Sequence, residues 1–231
     1  MGEAICRLFA KEGAKVVVAD YNFEGAEKVA SEINTQTPDA ATAIKTDVSI
    51  ETDINAMIGT AITFFGKVDI LINNAGIMDG FEPVGEVTNA RWDRVFTVNV
   101  NGPMYASRKA IQYFLEQGHG NIINIASIGG LQGGRAGAAY VASKHAVIGL
   151  TKNTAFMYAK KVSAATQSPQ ELSPPISPSQ WATSAHLARK QPASAWPLIR
   201  PSECPSRSLP LHSFWLLTMP VSSMDRICRD R

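Results

Sequence analysis

Apolar side chains recur at positions 4, 5, 8 and 9, the spacing of one face of a helix over Ala4–Lys11. Glu12-Gly13 closes that helix, and the β-branched run Lys15-Val-Val-Val-Ala-Asp20 predicts a buried strand. The alternation then repeats. Helical spacing over Glu24–Ile33 leads to a strand over Ala41–Ile44, and a helix over Ile54–Phe65, stopped by Gly66, leads to a strand over Val68–Ile72. Thr88 to about Leu115 reads as one helix bent near Asn101-Gly102-Pro103, Asn121–Ala126 as a strand, and Tyr140 to about Lys160 as the last helix. Strands alternating with helices imply an α/β fold with a parallel sheet covered on both faces.

Candidate chemistry gathers where the fourth strand meets the last helix. Ser127 ends the strand, a loop of four glycines and Arg135 follows, and Tyr140 and Lys144 stand four residues apart on one helix face. An ammonium beside a phenol stabilises the phenolate, so a lowered Tyr140 pKa is expected. With the Ser127 hydroxyl on a substrate oxygen, the three groups suit proton transfer to or from an alcohol or carbonyl. Tyr-x-x-x-Lys alone is an ordinary helix turn; the serine thirteen residues earlier, at a strand end, gives it weight.

Composition narrows the function classes. A chain of 231 residues with net charge +2 does not call for nucleic acid or an acidic partner. Cys6, Cys204 and Cys228 are far apart and odd in number, suggesting neither a disulfide framework nor a zinc site, and they fit a reducing cytosol. The N-terminus does not read as a signal peptide, and no apolar run has the roughly 18 residues of a membrane span. A cytoplasmic protein without membrane contact is the expectation. The averages hide a break near Lys161. All 17 glycines lie at or before Gly149, whereas residues 161–231 hold 10 of the 13 prolines and carry a net charge of +4. Two regions follow: an α/β domain over 1–160 and a Ser/Pro-rich tail over 161–231.

Asp20 after a Val-rich strand, Asp47-Val48, Asn73-Asn74-Ala75-Gly76, Val98-Asn99, and Ser127 with Tyr140 and Lys144 occur in an order and spacing that resembles the short-chain dehydrogenase/reductases. The likeness covers Gly2 to Lys160. It implies a Rossmann-like doubly wound sheet and an oxidoreductase moving a hydride between NAD and a small or medium secondary alcohol or ketone. It also implies a catalytic set of Asn99, Ser127, Tyr140 and Lys144. In that set Tyr140 is the general acid/base, Ser127 orients the substrate oxygen, Lys144 tunes Tyr140 and holds the nicotinamide ribose, and Asn99 fixes a water. Asp20, Asp47, Val48, Asn74, Ala75 and Gly76, with Tyr140 and Lys144, are the implied cofactor contacts. A carboxylate at Asp20 repels a 2′-phosphate and favours NAD over NADP. The loop Ile77–Val87 is implied to shape the substrate pocket; a 3-oxoacyl thioester is an alternative substrate.

The chain departs from the family pattern at both ends. The first strand and the Gly-rich pyrophosphate turn are absent, with only Gly2 remaining, so the Lys15 and Val68 strands are expected to lack the neighbour between them. Residues 161–231 show no further strand by pattern. Back-translated one base out of frame, Lys161–Leu172 and Leu216–Asp225 permit segments similar to the family's next strand and C-terminal region. The tail therefore reads as a frameshifted translation, the alternative being a genuine disordered Ser/Pro-rich segment. On these grounds the sheet is expected to be incomplete and the chain as given a poor enzyme. The competing reading is a catalytically silent family member that binds partners. The implied partners are a small-molecule substrate and, if the chain is intact, further copies of itself packed through the two long helices.

Overall fold

The computed structural model describes residues 1–159, 162–167 and 213–218. Strand β1 (Lys15–Asp20) carries Val17 and Ala19 into one apolar cluster and Val16 and Val18 into another, so both its faces are buried. Around it lies a six-stranded sheet in the order β2 (Ala41–Lys45), β1, β6 (Ser213–Thr218), β3 (Ile70–Asn73), β4 (Asn121–Ile125), β5 (Ser163–Gln167). β1 and β2, β3 and β4, and β4 and β5 pair in parallel. β6 runs antiparallel to both β1 and β3.

Helices α1 (Gly2–Lys11) and α2 (Phe23–Gln36) cover one face, packing Phe9, Ala10, Val29 and Ile33 against Val16, Val18, Ile70 and Ile72. Helices α3 (Glu51–Phe65) and α5 (Gly102–Gln117) cover the other, with Ile54, Met57, Ala106 and Phe114 against Val17, Leu71 and Ile122. Phe114 is fully buried because Gly120 leaves it room: a Cβ there would lie 2.0 Å from the ring. Between α3 and α5 comes the short α4 (Asn89–Phe96), and α6 (Ala138–Tyr158) completes the set.

The α/β doubly wound class holds, and each strand and helix expected within 1–160 is present. The predicted bend of the long helix falls slightly earlier than expected, as a π-helical turn over Thr97–Asn101 between α4 and α5. The expectation that no strand follows residue 160 is corrected twice. Ser163–Gln167 adds to the outer edge of β4, whose backbone groups need partners, and it follows the crossover helix α6 directly. Ser213–Thr218 fills the position between β1 and β3, satisfying the two strands that were expected to face each other unpaired. The remainder of the predicted tail lies outside the described residues.

Candidate functional site

Because β6 is antiparallel to both β1 and β3, the carboxyl ends of β1 to β4 share one edge, where a doubly wound sheet opens its ligand crevice. Asp20 ends β1 there. Its carbonyl accepts from Thr46 N–H at 2.9 Å, and its Oδ1 accepts from Asn22 N–H at 2.9 Å, shaping the turn into α2. Asp47 closes a turn on Ser49, accepting from its N–H at 2.9 Å and its hydroxyl at 2.6 Å. Val48 is buried against α5, and Gly102 allows the approach: a Cβ there would sit 3.0 Å from the Val48 carbonyl oxygen. Asn74 and Ala75 are buried after β3. Thr46 Oγ1 and Asn74 Nδ2, both buried on this edge, have no hydrogen-bond partner among the described residues.

The π-helical turn sets Asn99 inward, 1% exposed. Its side-chain amide pairs with both backbone groups of one residue, donating to the Ile77 carbonyl at 2.9 Å and accepting from Ile77 N–H at 2.8 Å. It also donates to Ser143 Oγ at 3.1 Å, tying the loop after β3 to α6. A Cβ at Gly76 would lie 3.4 Å from Asn99 Oδ1 and 3.5 Å from Lys144 Nζ, so the glycine backbone passes directly over both side chains. On the other side, a Cβ at Gly129 would lie 3.3 Å from the Tyr140 ring and 3.5 Å from Ser127 Oγ. Asn99, Ser127, Tyr140 and Lys144 are therefore brought together at the strand ends, beside Gly76.

Ser127 accepts from Gly129 N–H at 3.1 Å, and its hydroxyl faces the same space beside Gly129 as the Tyr140 ring. Lys144 is 5% exposed, donates to the Ile125 carbonyl at 2.9 Å, and holds Nζ 5.7 Å from the Tyr140 ring centroid. Burial brings its pKa down from 10.5 to about 8. The expected lowering of the Tyr140 pKa is corrected. Burial raises it, the Ser127 hydroxyl pulls it back in part, and the Asp79 carboxylate pushes it further up. The reason is that a half-desolvated phenolate loses more hydration than one neighbouring hydroxyl returns.

Sequence reasoning missed Asp79, which is 7% exposed and accepts backbone N–H bonds from Phe81, Gly137 and Tyr140. The signal for it was Asp79-Gly80, a turn-forming pair within the implied substrate loop. Ser143, the Asn99 partner on α6, was also missed; nothing in the sequence distinguishes it from an ordinary helix serine.

The family described as short chain dehydrogenase matches residues 1–183. The chain is 46% identical over 160 residues to 3beta-hydroxysteroid dehydrogenase 2 of Eggerthella lenta, covering 69% of this chain and 61% of that protein. It is 38% identical over 161 residues to a cyclohexanol dehydrogenase of an Acinetobacter species, covering 70% of this chain and 64% of that one. It thus spans less than two thirds of either relative. Among solved structures, a 3-ketoacyl-(acyl-carrier-protein) reductase from Brucella melitensis complexed with NADH superposes with a TM-score of 0.65 at 38% identity. The match covers 71% of this chain and 69% of that one.

Proposed function

The chain belongs to the short-chain dehydrogenase/reductase family, and from that premise we propose that it moves a hydride between NAD and a secondary alcohol or ketone carried on an apolar ring. The observation that carries this reading is the meeting of Ser127 Oγ and the Tyr140 ring beside Gly129, with the buried Lys144 ammonium next to that ring. When bound, the nicotinamide supplies the hydride donor or acceptor. Ser127 orients the substrate oxygen, and Tyr140 gives it a proton in reduction or takes one in oxidation. The raised Tyr140 pKa keeps the phenol protonated at neutral pH, the form needed to donate. Lys144, and Asn99 through the Ile77 peptide, hold the floor of the site.

The edge of the sheet fits such a cofactor. Thr46 Oγ1 and Asn74 Nδ2 are buried polar atoms awaiting partners, and Gly76 lets backbone approach closely above Lys144. Asp20 at the end of β1 would take the ribose hydroxyls and repel a 2′-phosphate, favouring NAD over NADP. Ring substrates are supported by two relatives named for a hydroxysteroid and for cyclohexanol. Exposed apolar Met78, Phe81 and Leu131, on the loops that flank Tyr140, agree with that. A 3-oxoacyl thioester is a second reading, favoured by likeness to the 3-ketoacyl-(acyl-carrier-protein) reductase.

The test follows NADH absorbance with the purified chain, offering cyclohexanone, a 3-ketosteroid and an acetoacetyl thioester. Tyr140→Phe is expected to lower turnover by roughly 10²–10⁴-fold while leaving NAD binding in place. Near wild-type turnover in that variant removes the assignment; turnover on the thioester alone replaces the ring substrate. Asp20→Ala is expected to narrow the NAD-over-NADP preference in turnover efficiency, and an unchanged ratio removes Asp20 from cofactor choice.

A further inference from the structure

We propose that Asp79 is a positioning residue for Tyr140, its carboxylate clamping the Ile77–Val87 loop to the first turn of α6 so that the substrate-facing loop and the proton-transfer residue move as one piece. This rests on the reading of Tyr140 as the proton-transfer residue.

The N-cap of α6 is Gly137, which has no side chain with which to satisfy the orphan N–H groups of a helix start. Asp79, 58 residues earlier, does so instead. Oδ1 accepts from Gly137 N–H at 3.1 Å and Oδ2 from Tyr140 N–H at 2.8 Å, so the clamp closes on the backbone of the proposed acid/base itself. The residue at 137 must be small for this. A Cβ there would fall 2.6 Å from Asp79 Oδ2 and 2.6 Å from Glu82 N. A second strap lies alongside, Ala138 N–H donating to the Glu82 carbonyl at 2.9 Å.

The same carboxylate shapes the loop it belongs to. Oδ1 also accepts from Phe81 N–H at 3.0 Å, and Phe81 is held at φ 59°, a left-handed conformation that a bulky residue keeps only when its surroundings enforce it. At its other end the loop is pinned by the double hydrogen bond between Ile77 and Asn99. A substrate pressing on Met78 or Phe81 therefore acts on both Asn99 and Tyr140.

The clamp carries a charge. The titratable or charged groups facing Tyr140 are Lys144 from the next turn of α6 and Asp79 from the loop, with the Ser127 hydroxyl opposite. Of these, Asp79 opposes the phenolate. Helix capping alone would be served by any acceptor; the negative charge also keeps Tyr140 in its donor form.

The experiment labels tyrosine with ¹³C at Cζ in the full chain, assigns Tyr140 with Tyr140→Phe, and titrates it by NMR in wild type and Asp79→Asn, alongside backbone hydrogen exchange. The titration midpoint of Tyr140 is expected to move down in Asp79→Asn. Exchange at 79–82 and at 137–140 is expected to rise together, roughly tenfold, for the loss of a charge-assisted hydrogen bond. An unmoved midpoint, or faster exchange confined to one of the two segments, overturns the proposal. If Asp79→Asn does not fold by thermal melt, Gly137→Ala, which drives the carboxylate away from the helix start, takes its place. A lowered midpoint with joint exchange again supports the clamp, and an unmoved midpoint or one-sided exchange again overturns it. Neither measurement needs cofactor or turnover, so failure of the hydride-transfer reading and failure of the clamp are seen separately.

Discussion

Lys144 keeps an ammonium 5% exposed with one acceptor among the described residues, the Ile125 carbonyl, and its pKa falls from 10.5 to about 8 because burial disfavours the charged form. That shift is also a statement about stability. Between pH 8 and 10.5 the unfolded chain binds the proton and the folded one has released it, so stability rises with pH across that window. Below pH 8 both states are protonated and the full penalty stands, about 3 kcal/mol at 1.4 kcal/mol per pKa unit. The difference in unfolding free energy between wild type and Lys144→Met is therefore expected to shift in favour of wild type by about that amount from pH 7 to 10.5. Urea unfolding at several pH values checks this, since groups common to both proteins cancel in the difference. Parallel stability curves would mean that Lys144 is not held as a buried cation. A fold that accepts such a penalty at neutral pH points to a use for the charge beyond packing, consistent with its place beside Tyr140.

The elements were legible where one physical signal dominated. The run Val16-Val17-Val18 has a single home, a strand buried on both faces, and the structure alternates it between two apolar clusters. Ser127, Tyr140 and Lys144 could be seen to share a site because a strand end and one helix turn fix their spacing. Asn99 was legible only by resemblance. What turns it inward is the π-helical turn Thr97–Asn101, and i→i+5 bonding leaves no pattern in the hydrophobic spacing. Asp79 was not legible as a cap because its partners are backbone groups 58 and 61 residues on, and a side chain accepting from a distant backbone has no sequence period. The two late strands escaped for a different reason. Ser163–Gln167 and Ser213–Thr218 lie in a region whose composition reads as unstructured, and they take strand form because open sheet positions offer hydrogen bonds.

At the scale of the whole molecule, the two halves of the site depend on what lies between β1 and β3. Asp20 closes one strand and Asn73 the other, and β6 separates them, with Ser213 opposite Asp20 and Phe214 opposite Asn73. A parallel strand in that position would leave the sheet at the edge where the site lies; β6, being antiparallel, enters there instead. Its backbone pairs on both sides, Leu216 standing opposite Val17 and opposite Leu71. Proline at 216 lacks the N–H that a central strand needs and forces the chain out of the ladder. An ordinary domain has roughly 5–15 kcal/mol of stability, so splitting the sheet at its centre takes a large share of it. Leu216→Pro is expected to speed amide exchange in β1 and β3 together and to lower the unfolding midpoint, with β4 less affected because its parallel partners remain. Ser213→Pro, at the first residue of the strand, where proline is tolerated, is expected to change exchange far less. Unchanged protection of Val17 and Ile72, whose backbone groups face β6, in Leu216→Pro would mean that β1 and β3 are held by something other than β6. That edge of the sheet would then owe its geometry to the helices alone.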